Sequence, residues 1–200
     1  VTPRFPDRLL LPLAFDPARL AADMAAISTG GWIAHFVQQN YDGDWSVIPL
    51  RGPASARHPV QMIYSDPTCP EYADTPLLAA APYLREVLAH LACPLQAVRL
   101  MRLSPGSLIK EHRDLDLAFE DGTVRIHIPV VTNDGVDFRL NGSRCVMETG
   151  SAWYLRLADP HSVANRGGSD RVHLVIDATV NDWVRALFER ALAAENGRAA

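Results

Sequence analysis

The chain has 200 residues, of which 48% are hydrophobic and 21% charged. That is the composition of an ordinary globule of one domain, and it excludes long disorder, collagen and coiled coil. Lys+Arg 19 against Asp+Glu 23 leaves a formal charge of -4, and no basic stripe marks a nucleic-acid binder.

Val1-Thr2-Pro3-Arg4 does not read as a signal peptide, and the missing initiator Met points to a trimmed start that leaves room for an upstream segment. The apolar run from Leu9 to Phe15 is broken by Pro12 and is far too short to span a bilayer, so no membrane partner is expected. Asp16-Pro17 reads as an N-cap with Pro at the first helical position. Leu20, Met24 and Ile27 follow at helical spacing until Gly30-Gly31 stops the helix. The Pro-, Gly- and Asp-rich stretch from Tyr41 to Pro70 reads as loops around one short strand, Trp45 to Leu50. Thr75-Pro76 starts a second helical segment. Leu84, Val87, Leu88 and Leu91 form its stripe behind Pro82, which kinks or restarts it. The cysteines Cys69, Cys93 and Cys145 are scattered and odd in number. They make neither a disulfide framework nor a zinc knuckle, so a reducing compartment is expected, by default the cytoplasm.

From Leu95 onward short alternating runs are separated by turn residues. The strands read as 97–103, 108–113, 123–131, 136–140, 144–147, 151–156, 161–165 and 171–179. Asp121-Gly122, Asn133-Asp134-Gly135 and Asn141-Gly142 are hairpin signals between them. Eight such strands predict a mainly β fold, a jelly roll or double-stranded β-helix, with flanking helices. A last helix, capped by Asn181, carries the stripe Val184, Leu187, Phe188, Ala191 and Leu192.

Residues i and i+2 of a strand share a face, so His112 and Asp114 form a pair. A third metal ligand must come from a distant strand, and His161, just after Asp159-Pro160, is the candidate. Two His and one carboxylate form the facial triad of non-haem Fe(II) oxygenases, which leaves three positions open for a bidentate cosubstrate and dioxygen. Taken singly, the three are an edge histidine, a turn aspartate and a loop histidine. The balance shifts because polar residues interrupt apolar strands. Arg125 and His127 share the face opposite Val124, Ile126 and Ile128. Arg171, His173, Val175 and Asp177 share the face opposite Val172, Leu174 and Ile176. An arginine inside a barrel needs a partner. The ordinary partner is an internal carboxylate such as Asp177; the sharper one is a ligand carboxylate gripped bidentately.

These residues resemble the aspartyl/asparaginyl β-hydroxylase family of Fe(II)/2-oxoglutarate oxygenases, which includes bacterial proline hydroxylases. The motifs are Ser104-Pro105-Gly106-Ser107, His112-x-Asp114, Arg125-x-His127 with Pro129, His161 with Arg171 ten residues on, and the Val175-Ile176-Asp177 strand. The likeness covers 98–182; before it only a loose Trp45…Leu50-Arg51 pattern matches. With the reading along the chain, it gives one oxygenase domain over 1–200: a helical and loop-rich support (1–94), a β-helix core (95–180) and a C-terminal helix (181–200). It implies that His112, Asp114 and His161 bind Fe(II), and that Arg171 holds the distal carboxylate of the cosubstrate 2-oxoglutarate. Arg125 and His127 would lie beside its chelating end. Asp114 places the chain in the bacterial branch with a full triad, whereas a family serine aligns with Met101.

The implied reaction couples oxidative decarboxylation of 2-oxoglutarate by O2 to hydroxylation of a C–H bond, with no side-chain nucleophile. The expected substrate is an aspartyl- or asparaginyl-like residue or other amino acid, free or in a peptide or protein. The lack of the long C-terminal extension of the proline hydroxylases puts free proline second. Arg51 and Arg139 are candidate partners for a substrate carboxylate, although surface arginine is the commoner role. Trp45, with Tyr41 and Trp153, is a candidate pocket wall, although core is commoner for aromatics. A non-catalytic β-helix that binds a metal or a small acid, and a cupin-like metalloenzyme without 2-oxoglutarate, are the alternatives. Oligomeric state carries no sequence signal.

Overall fold

In chain order the elements are β1 (Arg8–Ala14), α1 (Pro17–Ile27), β2 (Ile33–Ala34), β3 (Tyr41–Asp42), β4 (Trp45–Pro53) and β5 (Tyr72–Asp74). Two short helices follow, α2 (Pro76–Ala79) and α3 (Pro82–Ala89). Then come β6 (Leu95–Leu103), β7 (Leu108–His112), β8 (Thr123–Val131), β9 (Val136–Leu140) and β10 (Ser143–Cys145). The chain closes with β11 (Ser151–Leu155), β12 (His161–Asn165), β13 (Arg171–Thr179) and α4 (Asp182–Ala199). This computed structural model describes residues 4–65 and 68–199. The opening Val1-Thr2-Pro3 and the Asp66-Pro67 step of the 41–70 stretch lie outside the described residues.

The strands form two antiparallel sheets. The larger runs β1-β11-β8-β13-β6-β4-β2, with β5 also on β4; the smaller runs β10-β9-β12-β7-β3. Strict alternation along β8 and β13 gives the larger sheet two faces. Val124, Ile126, Ile128, Leu174 and Ile176 point outward into one core cluster with Leu187 and Phe188 of α4. Val175 and Met101 point inward, against Phe138, Leu140 and Val163 of the smaller sheet. Burying each such side chain stabilises the fold by roughly 1.5–3 kcal/mol. Two sheets enclosing an inner core, with helices on the outer face, make a double-stranded β-helix.

The caps follow the sequence. Asp16 Oδ1 accepts from Ala18 N and Arg19 N, and Asn181 Oδ1 accepts from Val184 N at 3.0 Å. Pro82 restarts the helix as expected, since α2 ends before it. Thr75, however, spends its hydroxyl on Pro49 O at 2.9 Å and does not cap α2.

The first half holds more strand than its helical reading foresaw. The run Leu9 to Phe15, given no element in the sequence reading, supplies most of β1, which pairs with β11 and places Leu9 and Leu11 in the outer core. Pro12 is tolerated there because β1 is the sheet edge. The 41–70 stretch carries β3 as well as β4. The latter runs on to Pro53 because β5 gives Arg51, Gly52 and Pro53 partners.

Candidate functional site

The inner face of the β-helix opens into a cleft of about 420 Å³. His112 ends β7 and His161 begins β12, and the two are directly paired across the ladder. Their ring centroids lie 4.2 Å apart. Asp114 follows the end of β7, where its backbone N–H donates to Leu157 O at 2.9 Å. Nitrogen and oxygen ligand atoms of the three residues lie within 4.8 Å of one another, and His112 Nε2 stands 3.7 Å from Asp114 Oδ1.

The hydrogen bonds of these rings choose their tautomers. His112 Nδ1 lies 2.7 Å from Lys110 O, and His161 Nδ1 lies 3.0 Å from Asp159 O. A carbonyl only accepts, so each Nδ1 carries the hydrogen and each Nε2 lone pair is left for the cleft. Burial pushes the His161 imidazolium down to about 4, so the ring is neutral near pH 7, the form that ligates. Two free imidazole lone pairs, a carboxylate oxygen and backbone-oriented rings suit a divalent metal.

The two arginines met different partners. Arg125 is paired across the ladder with Asp177 and grips it through Nε (2.6 Å) and Nη2 (2.9 Å). Its Nη1 donates to Asp114 Oδ2 at 2.5 Å. Burial works against its charge, yet Asp177 and Asp114 more than offset that and hold the guanidinium above its ordinary value. Arg125 thus stands beside the candidate metal ligands, with three of its nitrogens on protein carboxylates.

Among the described residues Arg171 has no such carboxylate. It is 3% exposed, lies with Cζ 5.7 Å from the Phe138 ring centroid, and donates through Nη2 to His173 Nδ1 at 2.9 Å. Its Nε is buried and unpartnered among the described residues. Burial alone pushes it down to about 9, which leaves it charged near neutrality. His127 Nδ1 lies 3.3 Å from His173 Nδ1, the atom that faces Arg171 Nη2 at 2.9 Å. The Nε2 of His127 is buried on the cleft wall without a partner among the described residues. Burial, then the neighbouring arginines, hold this ring well below its ordinary value.

Trp45 lines the cleft and stacks on His35, with centroids 3.6 Å apart. Arg51 and Arg139 do not line it. Arg51 is engaged by Asp74 Oδ1 at 2.6 Å and by the carbonyls of Tyr72 and Leu95. Arg139 donates to Asp137 Oδ2 at 3.0 Å and to Gly142 O on the outside of the smaller sheet. Two cleft residues went unread in the sequence. His35 carries no motif. Arg99 had a signal, because it breaks the apolar strand 97–103 as Arg125 breaks its own. It is 1% exposed and donates to Asp177 Oδ2 at 2.9 Å.

Two imidazoles and a carboxylate at one end of a double-stranded β-helix define the class of the non-haem metal oxygenases. The particular family follows from comparison with known proteins. The chain belongs to the aspartyl/asparaginyl β-hydroxylase family, whose profile matches residues 18–180. A curated relative, an L-proline cis-4-hydroxylase of Rhizobium meliloti (strain 1021), is 30% identical over 168 residues. The match takes 82% of this chain and spans 57% of that relative. Among solved structures, a 2OG-Fe(II) oxygenase family oxidoreductase from Burkholderia pseudomallei superposes with a TM-score of 0.55 at 17% identity, covering 88% of this chain and 86% of that one. A Pseudomonas putida prolyl-4-hydroxylase gives 0.51 at 14% identity, covering 88% and 93%. At these identities the likeness is one of fold.

Proposed function

We propose that the protein is an Fe(II)- and 2-oxoglutarate-dependent hydroxylase of a free amino acid, with L-proline as the first candidate. Arg171 is the observation that carries this reading. A buried guanidinium without a carboxylate costs several kcal/mol, and an apolar side chain of similar volume would avoid that cost. A small dianion reaching in from the metal supplies the missing partner. The inner face then holds a cation at the start of β13 and a metal-ligating trio at the meeting of β7 and β12, the two ends a keto diacid requires.

In this reading His112, Asp114 and His161 hold Fe(II) by Nε2, a carboxylate oxygen and Nε2. The bound metal supplies the activation of dioxygen that an unactivated C–H bond demands. Arg171 grips the distal carboxylate. His127 lies on the wall of the same cleft as Arg171 and the three ligands. Trp45, His35 and Phe138 give the cleft aromatic walls.

Likeness to a proline hydroxylase over 82% of the chain supports an amino-acid substrate ahead of an aspartyl or asparaginyl residue. One observation favours a peptide instead: Phe36, Tyr64 and Leu115 rim the same cleft as exposed apolar side chains.

The test is incubation with Fe(II), 2-oxoglutarate, ascorbate and O2, first with L-proline, then other amino acids, then Asp- and Asn-containing peptides. Succinate and a product heavier by one oxygen are expected with a free amino acid. Product from peptides alone selects the peptide reading. No succinate in any mixture, together with no bound iron, leaves a non-catalytic β-helix. His112→Ala is expected to abolish most iron binding, and one tightly held iron per chain in that variant contradicts the assignment.

A further inference from the structure

We infer that Arg125, anchored on Asp177, is a positioning residue that holds the metal-binding carboxylate of Asp114 in a one-oxygen mode; the inference rests on the metal reading above. Asp114 lies past the end of β7, on the turn Asp114-Leu115-Asp116, where Asp116 has φ 57° and Leu115 is 87% exposed. A carboxylate on such a turn has little of its own to fix it. The structure supplies the fixing from across the barrel. Arg125 Nη1 takes Oδ2 at 2.5 Å, which leaves Oδ1 as the atom facing His112.

Arg125 is itself immobilised. Nε and Nη2 form a fork on the two oxygens of Asp177, which is wholly buried. Arg99 Nη1 and Ser65 Oγ also donate to Asp177 Oδ2, at 2.9 and 2.8 Å. Asp177 therefore sits in a cage of donors on β8, β6 and the segment after β4. Burial raises its pKa, but Arg125 and Arg99 prevail and hold it below the usual carboxylate range. A planar guanidinium reaches two carboxylates at once in fixed directions; an ammonium is a single point charge. The chain Asp114–Arg125–Asp177–Arg99 alternates in sign, so it orients the ligand without adding net charge to the interior.

The test is Co(II) titration followed by visible absorption, on the parent, Arg125→Lys, Asp114→Ala and the double variant. Arg125→Lys keeps the charge at every position, so a change in affinity reports orientation. A loss of roughly 10- to 100-fold is expected, as for other groups that orient metal ligands. The loss is expected to vanish in the Asp114→Ala background, because the arginine acts through that carboxylate. Affinity within two-fold of the parent in folded Arg125→Lys overturns the inference. So does an equal loss with and without Asp114, which marks a general structural role. If Arg125→Lys fails to fold, Asp177→Asn carries the same cycle, with the same outcomes. A parent that binds no Co(II) overturns the metal reading itself, which separates the two failures.

Discussion

Arg125 and Arg171 obey one physical rule and end in different states. Each breaks an apolar strand, and that alone marks both as needing a partner. Only the fold decides which carboxylate each receives. The ladder sets Arg125 opposite Asp177, and its remaining nitrogen reaches Asp114. Arg171 finds an imidazole and an aromatic face, and among the described residues no carboxylate; in the proposed function a ligand supplies one. Arg171→Gln is therefore expected to weaken 2-oxoglutarate binding roughly 10- to 100-fold, the worth of one or two charge-assisted hydrogen bonds. Metal affinity should change little. Calorimetric titration of the metal-loaded protein checks both, and equal cosubstrate affinity in variant and parent refutes the assignment.

At the scale of elements, the strand grammar from Leu95 onward was legible because turns and alternation are local. The expected 123–131, 136–140, 161–165 and 171–179 coincide with β8, β9, β12 and β13. The expected 144–147 shortens to β10, Ser143–Cys145, because only those residues find partners on β9. The first half was harder to read. β1, β2, β3 and β5 are edge or short strands, and the partners of β1 and β3 lie far away in the chain, so their local pattern is weak. The turn before β4 shows what such segments need. Gly43 has φ +91°, and a Cβ there would come 2.3 Å from Ser107 Oγ. That hydroxyl accepts from Asp44 N at 2.8 Å and belongs to the Ser104-Pro105-Gly106-Ser107 turn. Gly43→Ala is expected to cost about 1–3 kcal/mol. A denaturant midpoint lowered at unchanged m-value is the sign to look for, and a shift worth under about 0.5 kcal/mol contradicts it.

For the whole molecule, the inner core mixes apolar side chains with buried histidines, and this sets its response to acid. His127, His161 and His173 are all held below their ordinary value of 6.5, first by burial, His161 at about 4. A lowered native pKa means that the unfolded chain takes up protons the folded one refuses. Stability is thus fully present above about pH 6.5 and is lost as pH falls toward 4. Asp177, also lowered, adds to the loss below its ordinary 3.8. The metal-free protein is expected to melt at a clearly lower temperature at pH 5 than at pH 7.5; a flat profile sinks this account. Among the described residues no helix is long and apolar enough to cross a membrane. The sequence by itself determined the β-helix grammar, the capped helices and the candidates His112, Asp114, His161 and Arg171, because alternation, caps and polar breaks in apolar strands are written within a few residues. Tertiary structure alone decided that His112 faces His161, that Arg125 spends itself on Asp177 and Asp114, and that Arg51 and Arg139 lie off the cleft. Those outcomes depend on ladder register between strands tens of residues apart, and no local pattern encodes which rungs will meet.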